Sequence, residues 1–169
     1  MRRAAALLAP VALMFGGLAG CGLQPMYAGG GNGAVARGLA SIDVAPIEGR
    51  AGWLVRNALR DRLSESGSKQ SGARYVLQVK LDDSLEGYGL LSDDTIARER
   101  RTLRARYQLV DNESGKVVID ATAGSSSGID VVSSEYATIA AEQTALENLS
   151  RDVAERIVTK LAITLRPAS

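Results

Sequence analysis

Histidine is absent from all 169 residues, and that absence excludes a large block of chemistry. There is no Ser-His-Asp triad, no Cys-His pair, no histidine-ligated zinc site and no imidazole proton shuttle. Cysteine occurs once, at Cys21, so no second thiol exists for a disulfide and stability must come from packing. Aromatic residues are scarce, with one tryptophan, one phenylalanine and five tyrosines. The core is therefore expected to consist of small aliphatic side chains, with little room for a ligand cavity. Neither sign of charge dominates, at 20 basic against 19 acidic residues, and no global field argues for nucleic acid. The apolar stretch from Ala4 to Leu18, interrupted by Pro10, Gly16 and Gly17, is too short for a spanning helix, which needs about 20 apolar residues.

What is there begins with an address. Arg2 and Arg3 precede that apolar stretch, and Leu18-Ala19-Gly20-Cys21 follows; this is the charged-then-apolar build of a secretion signal, with small residues before the cut. A cysteine directly after Leu-Ala-Gly resembles the bacterial lipobox. The resemblance implies cleavage before Cys21 and acylation of its sulfur and of the new amino group. Several acyl chains anchor stably where a single one binds marginally, since each buried CH₂ contributes about 0.8 kcal/mol. Gly22 stands where an aspartate would mark retention in the inner membrane, so the expected location is the outer membrane, lipid-anchored on the periplasmic side.

Residues 1–20 are thus expected as a lipoprotein signal peptide, 21–38 as lipid anchor and tether, and 39–166 as a single domain. The tether is assigned from its glycine density, including Gly29-Gly30-Gly31-Asn32-Gly33, which favours flexibility. It lacks the Gly-x-Gly-x-x-Gly spacing of a nucleotide loop.

Alternation predicts a first strand over Leu39 to Ile47, ending near Pro46, and helical spacing of Val55, Ala58, Leu59 and Leu63 predicts a helix over Ala51 to Ser64. Strands follow at Ala73 to Leu81 and Thr95 to Val110, separated by a turn-rich segment containing Gly87 and Gly89. Asp111 to Gly115 reads as a hairpin loop before a strand at Lys116 to Ala121. Ser125 to Gly128 reads as a polar interruption ahead of Ile129 to Val132. The apolar stripe Leu146, Leu149, Val153, Ile157, Leu161 and Leu165 predicts a closing helix over Glu135 to Leu165, about 45 Å long at about 1.5 Å per residue. Glu147 with Arg151 and Asp152 with Arg156 stand at ion-pair spacing on it. The fold class is α+β: a two-layer α/β sandwich in the order β-α-β-β-β-α, with a mixed sheet of about four strands, the first parallel to a neighbour and the later ones antiparallel.

The stretch most suggestive of function lies between Arg98 and Arg106, where five of nine residues are arginine. Strand alternation puts Arg98, Arg100, Arg104 and Arg106 on the face opposite Leu103, Ala105 and Tyr107, with Arg101 on the apolar side. Arg101 out of phase suggests a bulge or an edge. Same-face neighbours stand about 6.5 Å apart, so the four form a ladder able to engage several phosphates or carboxylates. The plainer reading is a solvated face paired with Asp82, Asp83 and Glu86 on a neighbouring strand. Nucleic acid is not the expected partner, because no aromatic is interleaved on the basic face for stacking. An envelope anion fits better, and the phosphorylated headgroup of lipopolysaccharide is the abundant one.

The chain as a whole resembles the alphaproteobacterial type of the lipopolysaccharide-assembly lipoprotein family LptE. The residues that carry the resemblance are Cys21-Gly22-Leu23-Gln24-Pro25-Met26-Tyr27, the helix with Arg56 and Leu59, the strand Tyr107-Gln108-Leu109, and a terminal helix opening Ser134-Glu135-Tyr136-Ala137 with Ala141-Glu142. Leu23 and Met26 depart from the family's usual aromatic and leucine. The resemblance implies a non-enzymatic protein with no cofactor beyond the covalent lipid on Cys21. It also implies a place inside an LptD-type outer-membrane β-barrel, help with that barrel's assembly, and a part in lipopolysaccharide transport to the cell surface. By their chemistry Arg98, Arg100, Arg104, Arg106 and Lys116 are the lipopolysaccharide-binding candidates. The alternative is a periplasm-facing auxiliary lipoprotein of a lipid-transport ABC system. A carboxylate-dependent cell-wall hydrolase, working through residues such as Asp82, Asp94 or Glu135, is a third reading.

Overall fold

A computed structural model describes residues 33–65, 72–90 and 96–166. The proposed leader, Cys21 and the glycine run to Asn32 lie outside the described residues, as does Asp94. The elements are α1 (Ala34–Ala40), β1 (Ile42–Val44), α2 (Gly49–Glu65), β2 (Tyr75–Leu90), β3 (Ile96–Asp111), β4 (Val117–Asp130) and α3 (Glu135–Thr164). The four strands form one sheet in the order β1-β2-β3-β4. The short β1 runs parallel to β2, pairing Ile42 with Tyr75 and Val44 with Leu77, because α2 is a crossover that returns the chain to the same end. The remaining pairs are antiparallel. This is the expected two-layer α+β sandwich with one helix more.

That extra helix corrects the tether. Residues 34–38 are helical, and α1 buries Val35, Ala36 and Leu39, three apolar residues at helical spacing behind the glycine run. Gly38 lies close to Leu165, whose Cβ is 3.5 Å from where a glycine Cβ would stand. The first strand is correspondingly shorter than Leu39 to Ile47, because Leu39 belongs to α1.

β2 and β4 are also longer than alternation implied. Gly87 is inside β2, opposite Glu99, and the Ser125 to Gly128 segment continues β4 in register with β3 as far as Asp130. Glycine and serine weaken a strand only modestly when a long neighbour supplies the ladder. The register is unbroken at Leu85 opposite Arg101, so Arg101 marks no bulge; the irregularity falls between Leu109 and Val110.

All three helices lie on one face of the sheet. α3 packs on β3, β4 and α2, while α2 also covers β1 and the start of β2. Between the layers Val55, Leu59, Leu77, Leu103, Leu109, Leu149, Val153, Ile157 and Leu161 are fully buried, joined by one aromatic, Tyr107. Each such aliphatic contributes roughly 1.5–3 kcal/mol by leaving water.

Two local devices set the frame. Gly52 lets the first turn of α2 meet the preceding loop, since a Cβ there would stand 2.6 Å from the Ile47 carbonyl oxygen. Arg56 Nε donates to the Val44 carbonyl at 3.1 Å, tying α2 to the end of β1. At the β3–β4 turn Asp111 accepts from the Glu113 and Ser114 amides at 3.0 and 2.9 Å and from Arg74 Nε at 3.3 Å. Gly115 closes that turn at φ 67°. These hydrogen bonds, led by that from Ser114, hold the Asp111 carboxyl below the usual carboxylate range.

Candidate functional site: the open face of the sheet

Alternation along β3 sends Leu103, Ala105, Tyr107 and Leu109 under the helices and leaves Arg98, Arg100, Arg104 and Arg106 exposed on the opposite face. The neighbours in register on that face are Tyr88, Glu86, Asp82 and Lys80 on β2, and Asp130, Gly128, Gly124 and Thr122 on β4. The arginine ladder therefore forms as expected, but its members are not equivalent.

The two end members are held by acids on β4. Arg98 Nε donates to Asp130 Oδ1 at 3.0 Å, and Arg106 donates from Nε and Nη2 to Asp120 at 3.2 and 3.0 Å. Gln108 adds a bond to Asp120 at 2.8 Å. Arg106 is the largest cause of the lowered Asp120 pKa, and Asp120 in turn raises that of Arg106.

The middle members face glycine on β4. Arg100 stacks on the Tyr88 ring, with its guanidinium carbon 5.2 Å from the centroid. Tyr88 reaches from β2 across β3, so that its hydroxyl lies 3.3 Å from where a Cβ of Gly128 would be. Arg104 lies along Gly124, its Cγ 3.4 Å from the corresponding point there. Among the described residues Arg104 has no ion pair, although Asp82 stands opposite it in register.

The acids expected to neutralise the ladder thus act differently. Asp82 and Glu86 share its face and form no ion pair among the described residues, whereas Asp83 lies on the helix side. There it binds Arg101 at 2.9 and 2.7 Å, and Arg101 Nη1 donates to the Glu142 carbonyl of α3 at 3.1 Å. Arg101 is a structural clamp. Lys116 sits at the β3–β4 turn beside Asp111, about 16 Å along the strand from Arg106 at the usual rise, and does not join the other four.

The sequence did not point to Lys80, Tyr88 or Arg156. Tyr88 was hidden by reading Gly87 and Gly89 as a turn, although Asp82, Ser84, Glu86 and Tyr88 alternate cleanly. Arg156 stands at ion-pair spacing from Asp152, but Asp152 instead accepts from Ser125 Oγ at 3.2 Å. Nor does Glu147 pair with Arg151; the helix layer is joined by Arg62 and Glu155 at 3.2 Å. Lys80, Arg104, Arg106 and Arg156 line an open cavity of about 800 Å³ that spans β2, β3 and β4. Among the described residues no cluster of metal-ligating side chains exists, and no helix is long and apolar enough to cross a membrane.

The sandwich is a fold found in solved bacterial lipoproteins. A lipoprotein of Caulobacter crescentus CB15 aligns with a TM-score of 0.63 and 27% identity over 79% of this chain and 98% of its own. Rare lipoprotein B of Shewanella oneidensis aligns at 0.56 and 14%, over 73% and 92%. A minor lipoprotein of Acinetobacter baumannii aligns at 0.56 and 17%, over 76% and 96%. No curated protein sequence matches the chain. The lipopolysaccharide-assembly family LptE matches residues 39–161, and the chain belongs to that family. A role in lipopolysaccharide assembly follows from membership.

Proposed function

We propose that the protein is a non-enzymatic, lipid-anchored outer-membrane component that occupies the lumen of an LptD-type β-barrel, assists the barrel's assembly and helps pass lipopolysaccharide to the surface. The observation that carries this reading is the family match across residues 39–161, nearly the whole described domain. The Leu18-Ala19-Gly20-Cys21 motif supplies the anchor, acylated at Cys21. A polar, open sheet face suits a barrel lumen, which is itself polar.

On that face Arg100 and Arg104 are the leading lipopolysaccharide contacts, because no acid among the described residues holds them; Arg98 and Arg106 must share theirs with Asp130 and Asp120. Lys116, at the turn, stands apart from these contacts. Arg100→Glu with Arg104→Glu is expected to weaken lipopolysaccharide binding by about tenfold or more at low salt, with an unchanged circular dichroism spectrum. Unchanged affinity would remove the ladder from the functional reading.

A further inference from the structure

We infer that the cavity spanning β2, β3 and β4 binds a phosphomonoester, held by Arg104 and Lys80 from the sheet and by Arg156 from α3. The inference rests on the reading of the arginine face as a surface for phosphorylated lipid, and it narrows that reading to one place and one charge state.

Three observations converge there. First, the charges of the cavity are unbalanced. Arg106 is engaged by Asp120, which leaves Lys80, Arg104 and Arg156 without an ion pair among the described residues. Asp82 is the one carboxylate among the residues that line it. Second, like charges are set against each other: Lys80 is directly opposite Arg106 in register, and Arg104 is the next residue on the same face. Such cross-strand neighbours repel unless an anion lies between them.

Third, one cavity is lined by cations from both layers, Lys80 and Arg104 from the sheet and Arg156 from α3. Gly124 has no side chain to block Arg104, whose stem lies along it. On the other side of β4, Ser125 Oγ engages Asp152, the acid one turn before Arg156. Arg156 is thereby left to line the cavity together with Arg104.

Three unpaired cations against one carboxylate favour a dianion over a monoanion. Guanidinium forks match phosphate oxygens in pairs, and a phosphomonoester carries a charge of about −1.5 to −2 near neutral pH. The hydroxyls of Thr102 and Ser126, which also line the cavity, can donate to the remaining oxygens. The same chemistry is offered by the headgroup of a phosphorylated lipid and by a soluble phosphate ester.

The test uses the full-length protein in neutral detergent, titrated calorimetrically with three probes. These are dihexanoyl phosphatidic acid (a monoester), dihexanoyl phosphatidylglycerol (a diester) and inorganic phosphate. The variants are Arg104→Gln, Arg156→Gln and, as a control, Arg60→Gln on the exposed side of α2; all three side chains are exposed, so the fold is retained. Wild type is expected to bind the monoester more tightly than the diester, with a loss on the order of tenfold in Arg104→Gln and Arg156→Gln and none in Arg60→Gln. Arg156-dependent binding of inorganic phosphate as well would assign the site to soluble esters too; binding of the lipid alone would assign it to the headgroup. Equal affinity for the two lipids, or an Arg156→Gln protein that behaves like Arg60→Gln, would overturn the site while leaving barrel occupancy untouched. A wild type that binds no probe would overturn the site, and the lipid-contact reading would then have to stand on lipopolysaccharide titration alone.

Discussion

Arg101 grips Asp83 with two parallel hydrogen bonds, Nε to Oδ1 at 2.9 Å and Nη2 to Oδ2 at 2.7 Å, and this one pair separates scaffold from surface among the five arginines of β3. Its side chains are 17% and 26% exposed, against 63% and 76% for Arg98 and Asp130. Water screens the second pair and much less the first. Asp83→Ala is expected to cost about 2 kcal/mol, since it also loosens the bond from Arg101 to α3. Asp130→Ala is expected to cost under about 1 kcal/mol. Urea denaturation of the two variants side by side checks the contrast.

Gly52→Ala tests the packing of the β1–α2 connection. The added methyl meets backbone, the Ile47 carbonyl at 2.6 Å, which cannot swing aside as a side chain would. A loss of roughly 1–3 kcal/mol is expected despite alanine's better helix propensity. If the variant gains stability, the loop is not held against α2 as described.

The β3–β4 turn should impose a pH dependence. Folding lowers the Asp111 pKa, so the folded state binds that proton more weakly than the unfolded one. The resulting stability is complete above about pH 4, where the unfolded carboxyl is ionised, and is lost as pH falls through the lower folded value. Asp111→Ala is expected to lower the thermal midpoint at pH 7, with the gap to wild type closing toward pH 2. A gap independent of pH would show that Asp111 acts through its shape rather than its charge.

The anchor has a simple chemical test. Cys21→Ala should abolish acylation and release the protein from the membrane fraction, while wild type gives an N-terminal peptide carrying acyl mass on Cys21. Cys21→Ala protein that still sediments with membranes through a salt wash would show that something other than the lipid retains it.

Much of the fold was legible because its signals are periodic and long. The stripe from Leu146 to Leu165 gave α3 to within a residue, and alternation from Leu103 to Leu109 gave the buried face of β3, hence the side on which the arginines stand. What escaped was decided by tertiary contact. α1 is only seven residues long and follows a glycine run whose composition pointed to a tether, so its apolar spacing was overridden. Gly87 and the Ser125 to Gly128 segment looked like interruptions, yet β3 supplies them with partners along its length. Pairing among charges was the least legible feature. Asp83 and Asp82 are adjacent in sequence and lie on opposite faces, and Arg156 was separated from Asp152 by a serine on another element.

The most direct test of the central proposal is mild extraction of the tagged full-length protein from its native membrane, followed by mass spectrometry of what stays bound. A large outer-membrane β-barrel in near-equal amount, carrying lipopolysaccharide, is the expected result. Recovery instead of an inner-membrane permease with its ATPase, and no barrel, would contradict the barrel role and favour a transport-auxiliary lipoprotein.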